Sequence, residues 1–139
     1  MYKEAIYKAL ESLKTHLVAL SNQLSMDKKQ IEAMVRRVCA QEGMNYAQIE
    51  LIVAVIWAES AMNPKAIGRP NRDGTRDYGL CQFNDKWWIG PGKKFASVEE
   101  VLNNPEKCVR VMCWRVKQKN GIKDWSAFNN GSYQKFIKP

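Results

Sequence analysis

Along residues 6–24 the apolar positions fall at Ile6, Leu10, Leu13, Leu17, Leu20 and Leu24. Steps of four and three alternate, which places these side chains on one narrow, coiled-coil-like stripe of a helix. The stripe covers fewer than three heptads and suits either packing on its own domain or self-association through residues 6–24. Ser25 or Asp27 is expected to cap a second helix over roughly residues 27–42, with Gly43 ending it. Asn45 is a good N-cap for a third helix, which carries Glu50, Leu51, Val55 and Glu59. The middle of that helix, Ile52 to Ala58, is apolar without interruption, and Pro64 closes the region.

The pattern then changes. Residues 65–85 hold Gly68, Pro70, Asn71, Asp73-Gly74 and Gly79, and Asp-Gly is a hairpin signal. Short strands are expected on either side of it, near Gly68–Arg72 and Tyr78–Phe83. Ser97-Val98-Glu99-Glu100 reads as a capping box opening a short helix, and Pro105 sits at the first turn of the next. That helix carries Cys108 to Val116 and is expected to stop at Gly121, with Asp124 capping a last short helix through Trp125 and Phe128. The fold class is therefore α+β: mainly helical, with a small antiparallel hairpin. Residues 1–44 are an N-terminal helical extension, for packing or oligomerisation, and residues 45–139 form the remaining region.

Composition narrows the function. At 139 residues and 45% apolar, the chain fits one domain. No apolar run approaches the ~18 residues of a membrane span. The N-terminus carries a charge every few residues and has no unbroken apolar segment, so no signal peptide is expected. The net charge is +8, which either serves solubility alone or implies an anionic partner, nucleic acid or a bacterial wall. No Lys/Arg cluster is dense enough for a nucleic-acid arm. The one histidine, His16, lies on the helical stripe segment, which argues against a His-based zinc site or a Ser-His-Asp triad. Cys39, Cys81, Cys108 and Cys113 contain no CxxC pair, and reduced, structural thiols are the favoured reading. Nothing in the pattern calls for a metal or a cofactor.

Two carboxylates carry the candidate chemistry. Glu59 ends an apolar helix, where a charge is costly unless it is paired in a helix-end salt bridge or has a chemical task. Asp77 follows on the turn-rich segment, as hairpin chemistry or as a second functional carboxylate, just ahead of Trp87-Trp88. Two carboxylates across a cleft are the equipment for cleaving a glycosidic bond. The tryptophans offer flat faces to sugar rings, although neighbours on a strand would point to opposite sides and leave one of them in the core. Gln82 and Asn84 could reach acetamido groups from one face, and Asn130 and Tyr133 could border the cleft on its far side.

These segments resemble the lysozyme superfamily, over about half of the chain. Asp73 to Trp88 is similar to the β-hairpin segment of c-type lysozymes. Glu59-Ser60-Ala61-Met62-Asn63-Pro64 resembles the Glu-Ser-x-x-Asn-Pro motif of soluble lytic transglycosylases, and Phe128-Asn129-Asn130-Gly131 their tyrosine–asparagine–glycine segment, with phenylalanine in place of tyrosine. The resemblance implies a lysozyme-like fold that cleaves the β-1,4 MurNAc–GlcNAc bond of peptidoglycan glycan strands. It implies Glu59 as general acid, Asp77 as the second carboxylate of the c-type branch, Asn84, Trp87 and Trp88 at sugar-binding positions, and Trp125 as the cleft tryptophan that packs near the glutamate. Transglycosylases generally lack an aspartate at the Asp77 position, so hydrolysis and lytic transglycosylation both stay open. Small size, basic charge and the absence of a leader would suit a phage-type bacteriolytic enzyme. The non-enzymatic alternative is an inactive wall-binding or virion structural module.

Overall fold

The computed structural model describes residues 1–137, and for residues 25 and 26 the backbone alone. It divides into two compact units, Met1–Ile31 and Glu32–Pro139. The first helix, α1, spans Tyr2–Gln41 without a break. The expected cap at Ser25 or Asp27 is therefore not used. Asp27 instead accepts a hydrogen bond within the helix, from Gln23 Nε2 at 3.0 Å. No proline or glycine interrupts residues 2–41, and capping residues alone do not stop a helix that can continue. In the Met1–Ile31 unit every residue of the 6–24 stripe is exposed, and His16 is an exposed surface residue whose ring nitrogen lies 2.7 Å from the Ser12 carbonyl.

In the second unit α2 spans Tyr46–Ser60. Its start is a full capping box: Gln48 N donates to Asn45 Oδ1 and Asn45 N to Gln48 Oε1, each at 2.9 Å. Five successive residues, Ile52 to Ile56, are buried, as a helix with no polar face requires. Val35, Val38 and Cys39 of α1 join the same core. Arg36 pairs with Glu50 and Glu32, and Trp57 Nε1 donates to Glu32 Oε1 at 2.6 Å, tying this part of α1 to α2. Past Ser60 the chain turns sharply, because Ala61 and Met62 both adopt left-handed backbone (φ 52° and 59°).

The sheet has two short antiparallel strands, β1 (Asp77–Tyr78) and β2 (Phe83–Asn84), pairing Asp77 with Asn84 and Tyr78 with Phe83. The expected Gly68–Arg72 strand does not form; just ahead of it Ile67 makes an isolated bridge to Tyr78. The connection between the strands is Gly79 to Gln82, not Asp73-Gly74. Asp73-Gly74 instead shapes a separate loop, closed by Asn71 N on Thr75 O at 2.7 Å and Thr75 N on Asp73 Oδ1 at 3.0 Å. Gly79 tolerates no side chain: its φ is +81° and a Cβ would fall 2.6 Å from Val101 Cγ1.

Among the described residues four more α-helices follow, α3 (Asp85–Trp88), α4 (Val98–Asn103), α5 (Pro105–Val116) and α6 (Ser126–Asn129), and a 3-10 helix spans Ser132–Phe136. Ser97 Oγ caps α4 by accepting from Glu100 N at 3.2 Å, while the Glu100 carboxylate reaches back to Ala96 N at 2.8 Å. A 3-10 turn at Gly121–Asp124 follows α5. Asp124 caps nothing. It takes a two-pronged ion pair from Arg115, at 2.6 and 3.2 Å. Gly121 makes that return possible, since a Cβ there would lie 1.8 Å from the Arg115 carbonyl oxygen. All four cysteines are free and buried, with Cys113 Sγ 3.6 Å from Cys39 Sγ. Among the described residues no helix is long and apolar enough to cross a membrane, and no group of His, Cys, Asp and Glu could hold a metal ion.

Candidate active site

Glu59 sits in the last turn of α2 and opens onto a cavity of about 450 Å³. Asp77, Gln82, Asn84, Trp87, Trp88 and Trp125 line the same cavity, so seven of the nine residues singled out in the sequence come together. Asn130 and Tyr133 are not among its lining residues. Asn130 Oδ1 accepts from Ser132 N at 2.8 Å, and the Tyr133 ring stacks on Phe128 at 5.4 Å.

Burial raises the pKa of Glu59 above the ordinary glutamate range, because leaving water disfavours its charged form. The Ala127 N–H, donating to Glu59 Oε1 at 2.9 Å, opposes that shift, and the charge of Asp77 adds to it. Trp57 is not among the residues lining the cavity; its Nε1 donates to Glu32 and its ring stacks on Phe136. Trp125 lines the cavity together with Glu59. It is 3% exposed, and its Nε1 donates to the Cys81 carbonyl at 2.7 Å. Trp125 is thus a core residue that also faces the cleft.

Asp77 lies at the start of β1, where Asn84 Nδ2 donates to its Oδ1 at 3.0 Å. The other Asn84 Nδ2 contact is Thr75 Oγ1, at 2.8 Å, and its Oδ1 accepts from Lys86 N at 3.1 Å. Asn84 is therefore committed to holding Asp77 and the start of α3. Gln82 has left-handed backbone (φ 54°), and its Nε2 donates to Gly79 O at 2.9 Å and Ala66 O at 3.3 Å. Trp87 and Trp88 lie on the single turn α3, not on a strand, and this is why both reach the cavity. Trp87 is 69% exposed, whereas Trp88 packs on Phe83 at 5.0 Å and Trp125 at 6.4 Å.

Sequence reasoning missed several lining residues: Asn71, Arg72, Asp73 and Thr75 of the loop, and Asp124 and Ser126 beside Trp125. The turn composition of residues 71–75 was their available signal. The Ala127 N–H had none, since every residue but proline carries one. A second hollow, of about 830 Å³, adjoins the first and shares Asn84, Trp87, Trp88 and Asp124 with it.

The sequence model of the transglycosylase SLT domain matches residues 38–135. The chain belongs to the transglycosylase SLT domain family. This SLT domain also has lysozyme relatives. Lysozyme-like protein 4 of Mus musculus is 33% identical over 97 residues, 66% of this chain and 67% of that protein. Lysozyme C of Dromaius novaehollandiae is 35% identical over 80 residues, 52% of this chain and 54% of that one. The chain thus spans about two thirds of the first relative and about half of the second. The crystal structure of lysozyme from Equus asinus shares the fold, with a TM-score of 0.58 and 24% identity over 72% of this chain and 84% of that one.

Proposed function

We propose that this SLT domain cleaves the β-1,4 bond between MurNAc and GlcNAc in bacterial peptidoglycan, with Glu59 as general acid. One observation carries the reading: a carboxyl whose burial raises its proton affinity opens into a cleft that also holds the Asp77 carboxyl and three tryptophans. A donor to a glycosidic oxygen must still be protonated near neutral pH, and a solvated glutamate, with a pKa of about 4.3, is not. Lysozyme is itself the established example of such tuning. Residues 45–139 carry this machinery.

The Ala127 N–H occupies Oε1, which leaves Oε2 to hold the proton. As the C1–oxygen bond breaks, its electron pair goes to the leaving oxygen and the proton follows from Glu59. The sugar cation left behind lies near the Asp77 carboxylate. An incoming oxygen completes the reaction and returns its proton to Glu59. If that oxygen is water, the reaction is hydrolysis. If it is the 6-hydroxyl of the same sugar, the product is a 1,6-anhydro end. The Asp77 position supports the first route and the SLT family match supports the second.

Purified wall incubated with the wild type should lose turbidity, and Glu59→Gln should not. No cleavage of any peptidoglycan type by the wild type would overturn the proposal and leave a wall-binding module. Mass spectrometry of the products separates the routes, because anhydro ends are lighter by one water. Asp77→Asn should impair turnover less than Glu59→Gln; equal and complete loss would assign Asp77 an indispensable role.

A further inference from the structure

The stripe of α1 stands in solvent. Ile6, Leu10, Leu13, Leu17, Leu20 and Leu24 are each between 52% and 62% exposed. Their strict alternation of four and three is the narrow seam of a coiled coil, and a helix lying on a broad core shows a wider stripe. We propose that this seam closes against the same seam of a second copy of the chain, in antiparallel orientation.

The orientation follows from the charges that end the seam. In heptad terms Leu10, Leu17 and Leu24 are a positions, and Ile6, Leu13 and Leu20 are d positions. One heptad further out, Lys3 is an a position and Asp27 a d position. A parallel pair would set Lys3 against Lys3 and Asp27 against Asp27. An antiparallel pair sets each a position against a d position of the second copy. A single register then places Lys3 beside the second copy's Asp27, Ile6 beside Leu24, Leu10 beside Leu20 and Leu13 beside Leu17. Sliding by one heptad brings Asp27 against Leu10, or Lys3 against Leu20, so charge fixes the register as well as the direction. Gln23 Nε2, bonded to Asp27 Oδ1 at 3.0 Å, holds that carboxylate beside the seam. The like-charged Lys14 pair near the dyad falls at the solvent rim, where water and salt screen it.

The area is sufficient. Twelve aliphatic side chains, at about 80–100 Å² each, remove on the order of 1,000 Å² from water, which reaches the size of about 1,000 Å² expected of a biological interface. Tyr2 and Tyr7, 86% and 66% exposed, flank the seam and add to it. In this pairing the two copies of residue 31 lie about 50 Å apart, at opposite ends of the rod. A dimer then presents two catalytic units to one polymeric wall, and the second engagement becomes intramolecular.

The test uses the full chain. Sedimentation equilibrium across micromolar concentrations should show a monomer–dimer equilibrium. Leu13→Asp with Leu17→Asp should be monomeric at every concentration while keeping the near-ultraviolet spectrum of the five tryptophans, all of which lie beyond residue 31. Lys3→Glu alone should weaken the dimer about tenfold, and adding Asp27→Lys should restore it. For direction, Ile6→Cys and Leu24→Cys variants are mixed under mild oxidation. Cross-linked heterodimers, with neither variant linking to itself, support the antiparallel register. Self-linked Ile6→Cys dimers, a trimer or larger species, or a wild-type monomer at all concentrations would each overturn it.

Discussion

In α2 the residues Ile52 to Ile56 form an unbroken apolar run, and every one is buried. In α1 six aliphatic residues between Ile6 and Leu24 are spaced by three and four, and every one is at least half exposed. A helix that is apolar on all sides can be satisfied only inside a core, because any uncovered face would be wetted. A seam asks for much less, one narrow partner along one line. The difference extends to the chemistry. Glu59 shares α2 with the buried run and takes its altered proton affinity from that burial.

Substitutions at the two helices should keep this contrast apart. The largest effect falls on Glu59. Glu59→Gln keeps the size of the side chain and an acceptor for the Ala127 N–H, but it removes the proposed proton donor. Wall cleavage should fall about 10³-fold, roughly 4 kcal/mol of transition-state stabilisation, measured as initial turbidity loss. Next is Ile56→Ala, which opens a cavity in the fully buried part of α2. It should cost about 3 kcal/mol in urea unfolding; a cost under about 1 kcal/mol would show that this core collapses onto the gap.

A smaller effect depends on pH. Burial raises the folded-state pKa of Glu59 above its unfolded value, so the folded protein binds that proton more tightly. This contribution to stability is complete below the ordinary glutamate range and is lost as pH rises through the raised value. Glu59→Gln should therefore have the higher Tm at pH 7, with the advantage fading below about pH 4. A Tm gap that does not change with pH would remove burial as the cause. The smallest effect belongs to the stripe. In dilute, monomeric protein Leu17→Ala should change unfolding free energy by less than about 0.5 kcal/mol. A loss like that of Ile56→Ala would mean the stripe is already packed in the monomer.

The parts legible in the sequence were those fixed by local chemistry. Asn45 and Ser97 mark real helix starts, because capping needs only a side chain and nearby N–H groups. Glu59 was legible as a charge out of place. Other expectations failed where a side chain or a segment found a partner that its own short motif does not show. Asp124 resembles a cap, but Arg115 claims it. Asp73-Gly74 resembles a hairpin turn, but the strands pair around Gly79–Gln82 because Tyr78 and Phe83 are held there by register. Asn84 lines the cavity, as a sugar ligand would, and its amide also holds Asp77 and Thr75. At Ser25–Asp27 a capping residue met a helix with no reason to stop.

The hydrogen bond from the Ala127 N–H to Glu59 has a consequence for how this site can change over generations. The donor belongs to the peptide backbone, so every residue except proline supplies it. A mutational scan of side chains would pass over the contact, and the codon at 127 can drift among small residues while the acid keeps its orientation. What aims the Glu59 carboxyl is written in the path of the chain and is inherited with the fold itself.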